Sequence, residues 1–95
     1  MTTKKDIVKQ IAVKCNLPQL ETREIVQAFL DTVADIIVAE GRLELRDFGV
    51  FQVRQRAERK ARNPKTGETV VVPPRRVVTF KPGKQLQDRI PQPPA

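Results

Sequence analysis

Histidine, tryptophan and tyrosine are absent from this chain, and cysteine occurs once. With no histidine, a lone Cys15 and no glycine-rich phosphate loop, every usual nucleophilic triad or zinc site lacks parts. No enzymatic activity, cofactor, metal or small-molecule substrate is expected. One cysteine allows no internal disulfide and fits a reducing cytoplasm. All four aromatic residues are phenylalanine, so the core must be aliphatic. No run of about 18 apolar residues exists to span a membrane. The opening Met1-Thr2-Thr3-Lys4-Lys5-Asp6 lacks the apolar region of a secretory signal. The 95 residues amount to one small domain with a modest core, which already makes self-association a reasonable expectation.

What the chain has in excess is positive charge, a net +7. Its placement matters more than its size. The segment Arg54 to Lys81 carries nine cations (Arg54, Arg56, Arg59, Lys60, Arg62, Lys65, Arg75, Arg76 and Lys81) against two anions, Glu58 and Glu68. Outside it, cations and anions cancel at nine each. Charge concentrated in this way points to a polyanionic partner.

The first half has helical periodicity. Thr3 and Asp6 resemble a capping box with Asp in place of Glu or Gln. Ile7, Val8, Ile11, Ala12 and Cys15 then keep to one helical face. On that face Cys15 is expected to be a small core residue. Asn16-Leu17-Pro18 breaks the helix, and Pro18 suits the opening of the next. From Glu21, the residues Ile25, Val26, Phe29, Leu30, Val33, Ile36 and Ile37 recur at helical spacing, and Gly41 ends the run. Ala28, Ala34 and Val38 widen that stripe. A helix so broadly apolar is expected to be covered on most sides, and in a chain this short the cover is expected to be a second copy. Asp31 and Asp35, four apart, are expected on its solvent side.

The second half switches to period two. Leu43 and Leu45 alternate with Arg42, Glu44 and Arg46, a half-buried strand. Asp47-Phe48-Gly49 supplies turn chemistry, since Asp and Gly tolerate positive φ. Phe51 and Val53 then alternate with polar residues, but beyond Val53 the apolar partners vanish and the strand is expected to leave the globule. Asn63-Pro64-Lys65-Thr66-Gly67 marks a reversal. Thr69 to Val72 and Val77 to Phe80 return, interrupted by Pro73-Pro74, which cannot donate to a central ladder and so predict an exposed, kinked ribbon. Lys84 to Ile90 is long enough for a short helix, and residues 91–95 are expected to be a disordered tail.

Three blocks, Asp47-Phe48-Gly49-Val50-Phe51, Arg62-Asn63-Pro64-Lys65-Thr66-Gly67-Glu68 and Phe80-Lys81-Pro82-Gly83-Lys84, resemble the signatures of the HU/IHF family of bacterial nucleoid proteins in order and separation. The likeness covers roughly residues 3 to 90. It implies a single α+β domain over residues 1–90, with two N-terminal helices, a three-stranded antiparallel sheet, an extended β-ribbon arm (54–77) and a short C-terminal helix, assembled as an intertwined dimer. The implied partner is double-stranded DNA, bent and condensed in the bacterial nucleoid by arms lying in the minor groove, a mode known for HU and IHF. Carried over by position, Pro64 is the wedge entering a base step. Arg62 and Asn63 flank it, and Arg54, Arg56, Arg59, Lys60, Lys65, Arg75 and Arg76 meet phosphates. Lys4, Lys81 and Lys84 match body positions that hold the flanking DNA. Phe48, Phe51 and Phe80, with Phe29, match the core joining the protomers.

Two roles remain open within the resemblance. A homodimer of the HU type has little sequence preference, whereas an IHF-type subunit pairs with another chain and favours particular sites. Arg75-Arg76-Val77-Val78-Thr79-Phe80 leans to the latter, but nothing in the sequence demands a second chain. An RNA-binding module is the alternative of another class. Such modules stack bases on exposed aromatics, and all four Phe residues here occupy core-like positions.

Overall fold

The computed structural model describes residues 1–94. Helix α1 (Lys4–Cys15) begins at the expected cap. The backbone N–H and hydroxyl of Thr3 both donate to the Asp6 carboxylate, at 3.0 and 3.1 Å. These bonds, the backbone one foremost, hold the Asp6 pKa below its ordinary 3.8. Since the folded value is depressed, the contribution of the cap is complete well above pH 3.8 and lost as pH falls through the lower folded value. Asn16 closes α1 in the left-handed conformation, φ +54°.

Helix α2 (Gln19–Glu40) is capped by Pro18 and ends at Gly41, whose φ of +73° places it in the left-handed conformation expected of a terminating glycine. Where the two helices meet, Thr22 is 1 % exposed and its hydroxyl donates to the Pro18 carbonyl at 2.9 Å. Among the described residues the only buried apolar side chains are Val8, Ala12 and Ile37. The expectation that α2 is covered on most sides is therefore not met within one chain. Ile25, Phe29, Leu30 and Val38 are all exposed.

Strands β1 (Arg42–Leu45), β2 (Gly49–Arg56) and β5 (Arg75–Pro82) form an antiparallel sheet in the order β1-β2-β5. The turn into β2 spans Leu45 to Phe48, with Asp47 in the positive-φ position at +67° and the Phe48 N–H bonded to the Leu45 carbonyl at 3.0 Å. Gly49 is not the turn residue expected of it. It is the first residue of β2, and it is small because of close approach: a Cβ there would lie 2.5 Å from the Phe80 ring and 2.7 Å from the Lys81 carbonyl. Backbone on one side and a packed ring on the other leave little room to relax. Gly49→Ala should cost about 1–3 kcal/mol and lower thermal melting by at least about 4 °C; unchanged melting would refute the close approach.

Strands β3 (Arg59–Arg62) and β4 (Thr69–Val72) pair only with each other. Helix α3 (Lys84–Asp88) follows Gly83, whose N–H bonds the Phe48 carbonyl at 2.7 Å. Residues 91–94 take no regular secondary structure, and Ala95, the last of the expected tail, lies outside the described residues. The radius of gyration is 19.1 Å, against about 12 Å for a compact chain of this length. A projecting ribbon accounts for the excess.

Candidate nucleic-acid interface

The ribbon is one hairpin in two pieces. The body ladder runs to Arg56↔Arg75 and the arm ladder resumes at Arg59↔Val72, with two residues skipped on each strand and no change of register. The skipped residues are Ala57-Glu58 and Pro73-Pro74. Prolines carry no N–H, so the ladder cannot continue through them. The break falls where the double proline predicts it.

Beyond the break, the tip is held by its own polar groups. Asn63 and Glu68 close the hairpin (Asn63 N–H to Glu68 carbonyl, 2.8 Å), and the Gly67 N–H bonds the Asn63 carbonyl at 2.7 Å. The Asn63 side-chain oxygen accepts the Lys65 N–H at 2.9 Å, and the Thr66 hydroxyl accepts the Glu68 N–H at 3.3 Å. Gly67 has φ +75°. Asn63 thus builds the turn with its side-chain oxygen, a role the sequence reading missed; an Asn two residues before the bonded N–H is the signal for such a turn. Pro64 sits exposed in a loop whose neighbouring residues are hydrogen-bonded to one another.

Strand alternation separates charge from core. Phe51 pairs with Phe80 and Val53 with Val78 on one sheet face, while Arg54, Arg56, Arg75 and Lys81 occupy the other. Arg59, Lys60, Arg62, Lys65 and Arg76 are all exposed. On the body, Lys81 and Lys84 border a crevice of roughly 470 Å³ with Arg54 and also Arg42, which the sequence reading passed over although its alternation with Leu43 already placed it outward. Lys4 is not with them. It borders a separate crevice of roughly 540 Å³ with Lys5, Lys9 and Arg23. Its ammonium donates to the Gln27 side-chain oxygen, and the Gln27 amide donates in turn to Asp31 at 2.9 Å. Lys5, Lys9 and Arg23 escaped a reading based on summed charge, because acids elsewhere on the body cancel them.

The aromatic residues are only partly covered within one chain. Phe80 lies between Phe51 and Phe48, with ring centroids 4.9 and 5.5 Å away, yet Phe29, Phe48 and Phe80 are exposed in the single chain. Within one chain they form no buried core. Cys15 is likewise exposed rather than buried. It lies at the edge of an apolar groove of roughly 650 Å³ whose walls include Ile7, Ile11, Ile25, Phe29 and Leu30. Among the described residues no cluster of His, Cys, Asp or Glu is placed to hold a metal, and no helix is long and apolar enough to cross a membrane.

A family model described as "Bacterial DNA-binding protein" matches residues 2–91. Integration host factor subunit alpha of Brucella suis is 44% identical over 88 residues, covering 93% of this chain and 82% of that protein. The subunit of the same name from Hydrogenovibrio crunogenus is 39% identical, covering 93% and 91%. Among solved structures, HU from an Anabaena HU–DNA cocrystal superposes with a TM-score of 0.86 at 29% identity, covering 97% of this chain and all of that one. A mutant HU from Thermotoga maritima, at 22% identity and a TM-score of 0.67 over 93% of this chain and 97% of that one, shares the fold. Order of elements, arm and family match agree: the chain belongs to the bacterial DNA-binding protein family, the HU/IHF group of architectural DNA-binding proteins, which are not enzymes.

Proposed function

We propose that two copies of this chain intertwine as a homodimer and that their arms enter the minor groove of duplex DNA and bend it around the body, with little regard for sequence. One observation carries this reading: the excess positive charge lies on a ribbon that stands away from the globule and ends in an exposed, braced proline. The open groove beside Phe29 supplies the complementary argument for a second copy. In this scheme Pro64 wedges a base step, Arg62 flanks it, and the arginines of the body face and arm meet phosphates. Asn63 has both amide N–H groups free to offer the groove, while its oxygen already accepts one bond in the turn. Lys4, Lys81 and Lys84, joined by Arg42, hold the flanks, and the protein works in the nucleoid.

Opening a base step costs a few kcal/mol, which contacts between the bent flanks and the body must offset. Proline suits the wedge because it is apolar and rigid, and inserting it forfeits no hydrogen bond. Pro64→Ala should therefore lower the bend angle, measured by energy transfer between duplex ends, more than it lowers affinity. An unchanged angle would count against the wedge. Duplex DNA should also out-compete single-stranded RNA; the reverse order would favour an RNA-binding module.

A second reading has its own support. Relatives with 36–44% identity are named as alpha subunits of integration host factor, which favours a chain that pairs with a different subunit and prefers particular sites. Sedimentation of the purified chain, followed by titration with random, nicked and pre-bent duplexes, separates the two. A stable dimer that binds random duplexes alike supports the first reading; a chain that dimerises only with another subunit supports the second.

A further inference from the structure

A second gathering of positive charge lies on the helices, apart from the ribbon. Lys5 and Lys9 stand one turn apart on α1 with Val8 between them, and Leu20 and Arg23 join them from the first turns of α2. These residues line the crevice of roughly 540 Å³ between the two helices, and no carboxylate borders it. Asp6, the acid of the same α1 turn, is engaged by Thr3. Lys4, which the DNA-bending scheme uses, gives its ammonium to Gln27. Three further cations therefore stand around apolar surface. Val8 is buried, Leu20 is exposed, and the stems of Lys5 and Lys9 are themselves aliphatic. The DNA-bending scheme has no use for such a floor.

We propose that this crevice docks an acidic, amphipathic helix of a partner protein, with an apolar side chain against Leu20 and Val8 and carboxylates on Lys5, Lys9 and Arg23. Charge complementarity and the apolar floor argue for this occupant together. Carboxylates one turn apart on the incoming helix match the spacing of Lys5 and Lys9, and an apolar anchor between them is the usual way a helix seats in a groove. A duplex would satisfy only the cations. Its phosphates are polar, and its base edges and methyl groups lie inside the grooves, away from a shallow apolar floor. The arm rises from β2 and β5, whereas the crevice belongs to α1 and α2. DNA and partner are therefore held by different elements, and a protein with no affinity of its own for DNA is brought to the duplex. This inference goes beyond the DNA-binding reading and does not rest on it.

Titration of the full-length protein, followed by NMR, tests the site. The probe is a synthetic helical peptide carrying one leucine, with glutamates three and four residues to either side. Shifts should concentrate at Lys5, Val8, Lys9, Leu20 and Arg23 and spare the tip of the ribbon, residues 63–68. Replacing the leucine of the peptide by serine should weaken binding about tenfold or more, the worth of one buried apolar side chain. Leu20→Ser should weaken it similarly, and Lys9→Gln by about two- to fivefold. Both positions are exposed, so neither variant disturbs the fold. A duplex bound beforehand should leave the affinity for the peptide unchanged. The site is refuted if polyglutamate binds as tightly as the leucine peptide, if the shifts fall on the ribbon instead, or if Leu20→Ser has no effect. Displacement of the peptide by a duplex that itself shifts Lys5, Lys9 and Arg23 would assign the crevice to DNA and overturn the proposal. Failure to bend DNA, by contrast, would overturn the proposed function and leave the peptide result untouched.

Discussion

Raising salt from 50 to 200 mM should weaken duplex binding roughly a thousandfold or more. The expectation follows from where the cations stand. Arg54, Arg56, Arg75 and Lys81 share the sheet face opposite the Phe51–Phe80 pair, and Arg59, Lys60, Arg62, Lys65 and Arg76 are exposed along the ribbon. If about seven of these each neutralise one phosphate, log K falls against log salt with a slope near −6. Groups that read phosphates should act alike on every sequence. Arg56→Ala and Arg76→Ala should therefore each reduce the slope by about one and weaken binding evenly across unrelated duplexes. Fluorescence anisotropy titrations over a salt series measure both. A loss confined to one sequence would replace the phosphate assignment with base readout, and a shallow slope in the natural protein would deny the arm its role.

The parts of this architecture legible in the sequence are those set by neighbours along the chain. The Thr3–Asp6 cap, the left-handed Gly41 and the break at Pro73-Pro74 each depend on a few adjacent residues, and each stands where the residue types put it. The charge segregation was legible too, because an arm is contiguous in sequence. What was hidden depends on approach between distant segments. Gly49 faces Phe80 across thirty-one residues, and only the pairing of β2 with β5 brings the ring onto its backbone. The body crevices gather cations from different elements, such as Arg42 with Lys84 and Lys9 with Arg23. A count of charge along the chain averages them away. Helical periodicity identified the apolar stripe of α2 correctly but could not say whether the same chain or another covers it. Cys15 and Phe29, both exposed here, mark that difference.

Phe29 lets the question of cover be answered by the sign of an effect. It is 53 % exposed in the single chain. Were the chain to act alone, Phe29→Asp would trade exposed apolar surface for a solvated charge, and stability would change by no more than a surface substitution does, within about 0.5 kcal/mol. If the groove holds a second copy, the same substitution buries a carboxylate among Ile7, Ile25 and Leu30, and the one cation lining the groove, Lys4, already donates to Gln27. An uncompensated buried charge costs several kcal/mol, and each 1.4 kcal/mol is tenfold in an association constant. Dimer affinity should then drop by at least about a hundredfold. Sedimentation should show species near the single-chain mass of 10.8 kDa, and cooperative melting should be lost, because three buried apolar side chains make too small a core to stand alone. Leu20→Asp provides the control. Leu20 is as exposed, at 59 %, but lies in the crevice lined by Lys4, Lys5 and Lys9, where a carboxylate is welcome. If both variants behave alike, exposure alone governs the outcome and the groove has no partner. If only Phe29→Asp falls apart, the apolar half of the second helix is the inside of an assembly that a single chain cannot complete.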